Sequence, residues 1–418
     1  MTDTWEPKAA RTAQYAEYDV TNTAVGMRCT INGVTISTAT GLADRNAAID
    51  AMVALWNAQS NPYFSTITAS SDDTTATQFR LTADTKGVPF VVLVEEYIAA
   101  WGTLTAKAAT LVPADGPEFY DNVDNWSGGA LPAANADIVF KETNISCCWN
   151  LPTSPIAIDT LKTHASFTGV IGLNPFAFAT SANGKTTDRT VVEYRQSNLH
   201  HQIDETVELG IGSGPGSGRV RIESDDTTTQ AIVYSTAANP IDSGRWACEL
   251  KLPNTGSKKD YIIYNTPGGL LLDSCDMNDL FVSAQNANSK VEIDNGTYIE
   301  KCYNRGSGSI YFRENFGGSV DDFIDCEKGD VYLDGMVALI ILKIRGGRVH
   351  VLSDTIAIDY IHFYGGILDL TKRGKIPTIT SAHFYNSITD YQIITDARGM
   401  FAPSMSTFYT DLDWSFSA

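Results

Sequence analysis

Residues 338–351, Ala-Leu-Ile-Ile-Leu-Lys-Ile-Arg-Gly-Gly-Arg-Val-His-Val, return nineteen positions later at 357–370 as Ala-Ile-Asp-Tyr-Ile-His-Phe-Tyr-Gly-Gly-Ile-Leu-Asp-Leu. Apolar and polar residues alternate on both sides of each Gly-Gly, so each copy reads as strand, turn, strand. The triplet His362-Phe363-Tyr364 recurs as His383-Phe384-Tyr385 after twenty-one residues. Walking back from Leu368 and Leu370, matching apolar pairs stand at Val349 and Val351, Val331 and Leu333, Ile310 and Phe312, and Val291 and Ile293, with Leu271 and Asp273 as a poorer copy. From Leu271 the steps are 20, 19, 21, 18 and 19 residues. A second ladder precedes the first, at Ile324 and Cys326, Leu342 and Ile344, Ile361 and Phe363, and Ala382 and Phe384. One such coil cannot bury its apolar strip alone, whereas stacked coils share a continuous core, so the period predicts a parallel β-solenoid. A leucine-rich repeat needs a helix or a fixed Leu and Asn spacing in each unit, and neither is present.

Period two sends one residue set inward and the other out. The predicted outward column is Glu292, Tyr311, Tyr332, His350 and Asp369. Within it Tyr311, Tyr332, His350 and Asp369 are the candidate binding residues, for a sugar or for another subunit, since tyrosine is enriched at interfaces. Carboxylates on the same coils, Glu292, Asp294, Asp334, Asp354 and Asp369, raise glycoside hydrolysis, which needs two of them across a groove. Solvated acids on an acidic solenoid need no such role.

The net charge of −19 over 418 residues opposes binding to nucleic acid, whose phosphates it repels. No apolar run is long enough to span a membrane. The opening Met1 to Lys8 lacks a basic and then apolar stretch, so synthesis in a cytoplasm and release by another route are expected. The seven cysteines, Cys29, Cys147, Cys148, Cys248, Cys275, Cys302 and Cys326, form no Cys-x-x-Cys pair and are expected to be buried and reduced.

Residues 1–110 differ in texture. Met27 to Ile31 and Val34 to Ser37 flank Asn32-Gly33 as a hairpin, and Ile49, Met52, Val53 and Trp56 mark one face of a helix from Asp44 to Asn57. Strands are expected at 63–70, 78–83 and 89–95, giving a compact α+β unit, one helix lying on a small sheet, with Trp56 and Phe90 in its core. Residues 111–124 read as a linker or strap, 125–395 as the β-helix and 396–418 as a C-terminal cap. Further strands are expected at 169–173, 190–194, 207–210, 220–223, 232–234 and 246–252. The insert 210–218, Gly-Ile-Gly-Ser-Gly-Pro-Gly-Ser-Gly, has no Lys-Ser or Lys-Thr and no helix after it, so it reads as a flexible turn between coils and not as a phosphate loop. His200-His201 with Asp204 is the densest group of metal-ligating types, but neighbours on a strand point to opposite faces, so no metal site is expected there. No nucleophile elbow and no His-Glu-x-x-His occurs, and no cofactor is implied.

Asn125-Trp126-Ser127-Gly128-Gly129-Ala130-Leu131-Pro132 followed by Asp137-Ile138-Val139-Phe140 resembles the opening of right-handed β-helical passenger and adhesin repeats, one residue shorter in its last part. In that likeness Trp126 closes the open end of the apolar core. The fold class expected is mainly β, a small N-terminal α+β domain followed by a right-handed parallel β-helix. Taken whole, the chain resembles bacteriophage virion surface proteins. That resemblance implies a non-enzymatic structural protein, made in the host cytoplasm and carried on the virion, that decorates the capsid through residues 1–110. Its partners would be phage capsid or tail proteins and, as is common for β-helices of this kind, two further copies in a homotrimer. The alternative is a tail-spike or receptor-binding protein that binds or cleaves host polysaccharide. A bacterial adhesin is a third reading, disfavoured by the missing export signal.

Overall fold

The structure is a computed structural model that describes residues 2–21, 26–31, 33–71, 78–98, 102–105, 108–152, 155–172, 178–180, 186–189, 199–218, 220–224, 229–238, 246–253, 258–353, 355–370, 378–385, 391–394 and 407–410. Its body is a parallel β-solenoid in which a 22-stranded sheet joins two ladders. In the first ladder Ala338–Ile344 pairs with Ser319–Cys326 before it and Ala357–Phe363 after it, and Thr378–Phe384 follows. In the second, Lys290–Asp294, Ser309–Phe312, Asp330–Leu333, Arg348–Val351 and Gly366–Asp369 stack in order. Val291, Ile310, Val331, Val349 and Leu368 are in register and fully buried, as the repeat predicts. The second predicted ladder also stands, with Ile324, Leu342, Ile361 and Ala382 as one inward column.

Inside the first-ladder strands the buried positions step by three, from Leu339 to Leu342 and from Ile358 to Ile361, in place of the strict two of a flat strand. The chain therefore turns a corner within each strand. One register differs from expectation. Leu270 and Leu272, not Leu271, face the core beneath Val291 and Ile293, and Leu271 lies beside outward Glu292. Three consecutive leucines give period two no phase to choose between, and stacking on Val291 decides it.

The α+β unit has two four-stranded antiparallel sheets, where a single small sheet was expected. One contains Tyr15–Asp19, Ile67–Ser71, Gln78–Ala83 and Ala108–Val112, and the other Gly26–Ile31, Val34–Ser37, Leu93–Ile98 and Gly102–Thr105. The helix Arg45–Asn57 starts where the Asp44 carboxylate accepts from the Ala47 N–H at 2.9 Å, and it buries Ile49, Met52 and Trp56 in one core with Phe79, Leu81 and Phe90. The strand expected at 63–70 begins only at Ile67. Pro62–Ser65 is a short helix capped by Asn61, because proline fits a first helical turn and the Asn61 side chain takes the Tyr63 N–H.

The chain's first strand does not belong to that unit. Thr2–Trp5 pairs in parallel with Asp137–Phe140 as a rung of the solenoid. The sequence boundary at 110 falls inside the strand Ala108–Val112, and the strap beyond it buries Phe119 and Tyr120. Trp126 meets Trp5 edge-on at 5.1 Å and Tyr120 at 5.0 Å, and Phe140 and Phe167 continue the cluster into the core. The predicted closure of the open end by Trp126 is thus in place, with Trp5 and Tyr120 as partners that the sequence did not announce. Buried Asn125 ties the junction: its Oδ1 accepts from the N–H groups of Lys8 and Ala9 at 3.0 Å, and its Nδ2 donates to the carbonyls of Gly116 and Phe119 at 2.9 Å.

The expected strands at 207–210, 220–223, 232–234 and 246–252 correspond to Leu199–Ile211, Val220–Ser224, Gln230–Val233 and Cys248–Lys251. The one expected at 190–194 lies outside the described residues. Of the expected cap, only Thr407–Thr410 is described, extending the first ladder beside Thr378–Phe384. All seven thiols are free, and six of them are buried. Burial pushes the Cys275 and Cys326 thiols up to about 12, as expected for core residues. Among the described residues no helix is long and apolar enough to cross a membrane.

Candidate functional site

The second ladder carries the predicted outward column in register: Glu292 beside Tyr311, Tyr311 beside Tyr332, Tyr332 beside His350, and His350 beside Asp369. The four candidate residues are therefore brought together on consecutive rungs. Their reach to solvent is unequal. Tyr311 and Tyr332 are half-buried, while His350 and Asp369 are only 6% and 4% exposed.

The faces of these rings are turned to one another. Tyr332 lies parallel to the His350 imidazole with centroids 4.3 Å apart, and Tyr311 tilts against Tyr332 at 5.4 Å. A sugar ring that needs an open aromatic face would find it taken here, leaving the ring edges and hydroxyl groups. His350 Nε2 lies 3.0 Å from Asp330 Oδ1 and its Nδ1 3.2 Å from Asp369 Oδ2. Arg348 donates to the same Asp369 oxygen at 2.5 Å.

The carboxylates put forward for hydrolysis are occupied in the same way. Glu292 and Asp294 share Arg313, at 3.2 and 2.5 Å, and Lys290 also contacts Glu292. Asp334 accepts from the Tyr311 hydroxyl at 2.7 Å, and Asp354 lies outside the described residues. Glu292, Asp294 and Asp369 thus stand in ion pairs, and Asp334 is hydrogen-bonded to a phenol.

His200 and His201 diverge as strand geometry requires. His200 is beside Glu223 on the outer face, and His201 is fully buried beside Ser224. Tyr120 Oη and His201 Nε2 are 3.0 Å apart, which fastens the strap to the coil. Asp204 lies on the outer face with His200, opposite His201, and accepts from Gln202. Among the described residues no group of three or more His, Cys, Asp or Glu side chains converges as a metal site.

Burial lowers the His201 imidazole to about 4; nearby His200 adds to this, and the Ile156 carbonyl works against it. Because the folded value lies below the ordinary 6.5, the neutral ring is the stable form, and the unfolded chain takes up the proton first. This contribution is complete above pH 6.5 and is lost as pH falls from there toward 4. It amounts to about 3 kcal/mol. Thermal melts across that range are expected to show a fall in stability that His201→Gln flattens.

A second surface escaped the sequence analysis. On the first ladder Phe281 and Tyr303 stack at 4.7 Å under Arg305, Lys343 stands 3.3 Å over Phe323, and Tyr364 and Tyr385 stack at 4.5 Å beside His362 and His383. The recurring His-Phe-Tyr triplet carried the signal, but it served only to measure the period. Only its middle residue points into the core, and the two flanking residues build this face.

Compared with known protein families, curated proteins and solved structures, the chain matches none.

Proposed function

We propose that this chain is a non-enzymatic structural component of a bacteriophage virion, attached to the particle through its α+β unit with the solenoid projecting. The observation that carries the reading is the way the α+β unit is mounted. The chain begins as a rung of the solenoid, leaves it to fold residues 15–112, and returns as the strap that seals the same end. Both connections are fastened, by Asn125 to Lys8 and Ala9 on one side and to Gly116 and Phe119 on the other, with Arg11 contacting Glu118. A unit held at both of its ends keeps a fixed attitude to the rod, which suits a foot that must hold a projecting body on a surface.

The paired state of the outward carboxylates supports a non-enzymatic role over a glycan depolymerase. The resemblance to phage β-helices extends the proposal to a homotrimer that contacts capsid or tail proteins.

Quantitative mass spectrometry of purified particles tests the assignment. Many copies per particle are expected, a few copies would favour a tail spike, and absence from particles would overturn it. The mass of the purified chain in solution is expected to be three times that of the monomer.

A further inference from the structure

Three consecutive strands, Ala338–Ile344, Ala357–Phe363 and Thr378–Phe384, present an outward grid. Its first column is Ile341, Tyr360 and the buried Ser381, and its second Lys343, His362 and His383. Arg345, Tyr364 and Tyr385 continue just past the strand ends, with the guanidinium 4.4 Å from the Tyr364 ring. None of these positions holds an acid, on a chain with 49 Asp and Glu against 30 Lys and Arg. Lys343 makes no ion pair among the described residues, its ammonium resting over Phe323.

His362 faces Lys343 and Arg345 from the preceding strand, Tyr360 and Tyr364 on its own, and Ser381, His383 and Tyr385 from the next. Asp325, one rung before Lys343, is held through both oxygens by Arg345 at 3.0 Å, and exposed Asp359 sits at the bend of the His362 strand. The His362 and His383 rings are nearly parallel with centroids 5.2 Å apart. Charging both places two cations face to face beside Lys343, which is unfavourable until an anion lies along them.

We propose that this face binds an acidic polysaccharide, with its anionic groups along the Lys343, His362 and His383 column, and that binding takes up a proton on His362. Rungs are about 4.8 Å apart, so the column spans about 10 Å, the length of a short stretch of sugar chain. The ring edges offer hydroxyl and N–H groups to sugar hydroxyls; His362 Nδ1 already meets the Tyr385 hydroxyl at 2.8 Å. Single-stranded nucleic acid fits less well. Its bases need free aromatic faces, whereas Tyr364 and Tyr385 stack on each other. Desolvation, His383, Lys343 and Arg345 lower the His362 pKa, and a bound anion acts in the opposite sense.

The test is calorimetric titration of the full chain with oligogalacturonate, with dextran and with oligodeoxythymidylate, at about pH 5.5 and 7.5, in buffers of different ionisation heat. Oligogalacturonate is expected to bind about tenfold more tightly at the lower pH, with net proton uptake, while dextran does not bind. The double change His362→Gln and His383→Gln is expected to remove the pH dependence without changing the melting temperature at neutral pH. Lys343→Gln, at a half-buried site, is expected to weaken binding at both pH values. Equal binding at the two pH values, binding of dextran, or tighter binding of the oligodeoxythymidylate would each overturn the proposal.

Discussion

Asn125→Ala is expected to unfasten the end of the solenoid that carries the α+β unit, at a cost of about 4 kcal/mol. The Asn125 side chain is fully buried and uses all of its hydrogen-bonding capacity, accepting from Lys8 and Ala9 and donating to Gly116 and Phe119. Alanine leaves two N–H donors and two carbonyl acceptors without that partner in a space closed to water. Each lost bond weighs about 1 kcal/mol net, and more where the orphaned group stays dry. Asn125→Asp keeps the accepted pair but turns an oxygen toward the Gly116 and Phe119 carbonyls, so it is expected to be at least as damaging.

The loss has a place as well as a size. Stability in a stacked repeat is close to a sum of neighbour contacts, so a weakened end frays before the middle opens. Hydrogen exchange is expected to accelerate first in Thr2–Trp5 and Asp137–Phe140, while Ser309–Phe312 and Asp330–Leu333 keep their protection. A variant within about 1 kcal/mol of the parent, or one that loses protection evenly along the rod, would refute the account.

Those two regions also mark where the sequence was readable. Val349 and Leu368 could be stacked on paper because neighbouring coils are nearly equal in length and repeat the same apolar pair, and a regular period carries its own register. Thr2–Trp5 has no copy to align with. Its place beside Asp137–Phe140 follows from what the chain does after more than a hundred intervening residues, which no local pattern contains. Leu270 shows the same limit on a smaller scale, since its phase is set by Val291 on the next rung.

The candidate site divided in a similar way. Alternation alone placed Tyr311, Tyr332, His350 and Asp369 in one outward column. Alternation is silent about what the column does with its side chains. The burial of His350 between Asp330 and Asp369, and the use of its ring face by Tyr332, depend on residues one rung away and in the next column. The grid around His362 was missed for a related reason. Arg345, Tyr364 and Tyr385 lie past the strand ends, where period two no longer tells outward from inward, and only stacking aligns them.

The glycine-rich insert between 210 and 218 gives the largest expected effect, because it contains its own control. Gly210 and Gly212 both have left-handed backbone, φ 73° and 85°, so alanine at either one carries a conformational cost of about 1 to 2 kcal/mol. Their surroundings differ. A Cβ on Gly210 would lie 1.8 Å from the Ser235 carbonyl oxygen, whereas one on Gly212 meets nothing within 4 Å. Gly210 also donates its N–H to Thr163 Oγ1 at 3.1 Å, and that hydroxyl donates to Ser217 Oγ at 2.8 Å, so Gly210 is not in a flexible turn but is the extra residue of an irregularity near the end of the strand Leu199–Ile211, packed between neighbouring coils. To admit a methyl group at Gly210, two backbones one coil apart must separate, and the ladder on either side resists. Gly210→Ala is therefore expected to lose about 5 kcal/mol or to fail to fold, and Gly212→Ala to lose no more than about 2. Denaturant melts of the pair isolate the contribution of coil-to-coil contact, since backbone strain is common to both. Equal losses at the two positions would mean that conformation, and not the close approach of stacked coils, is what demands glycine here.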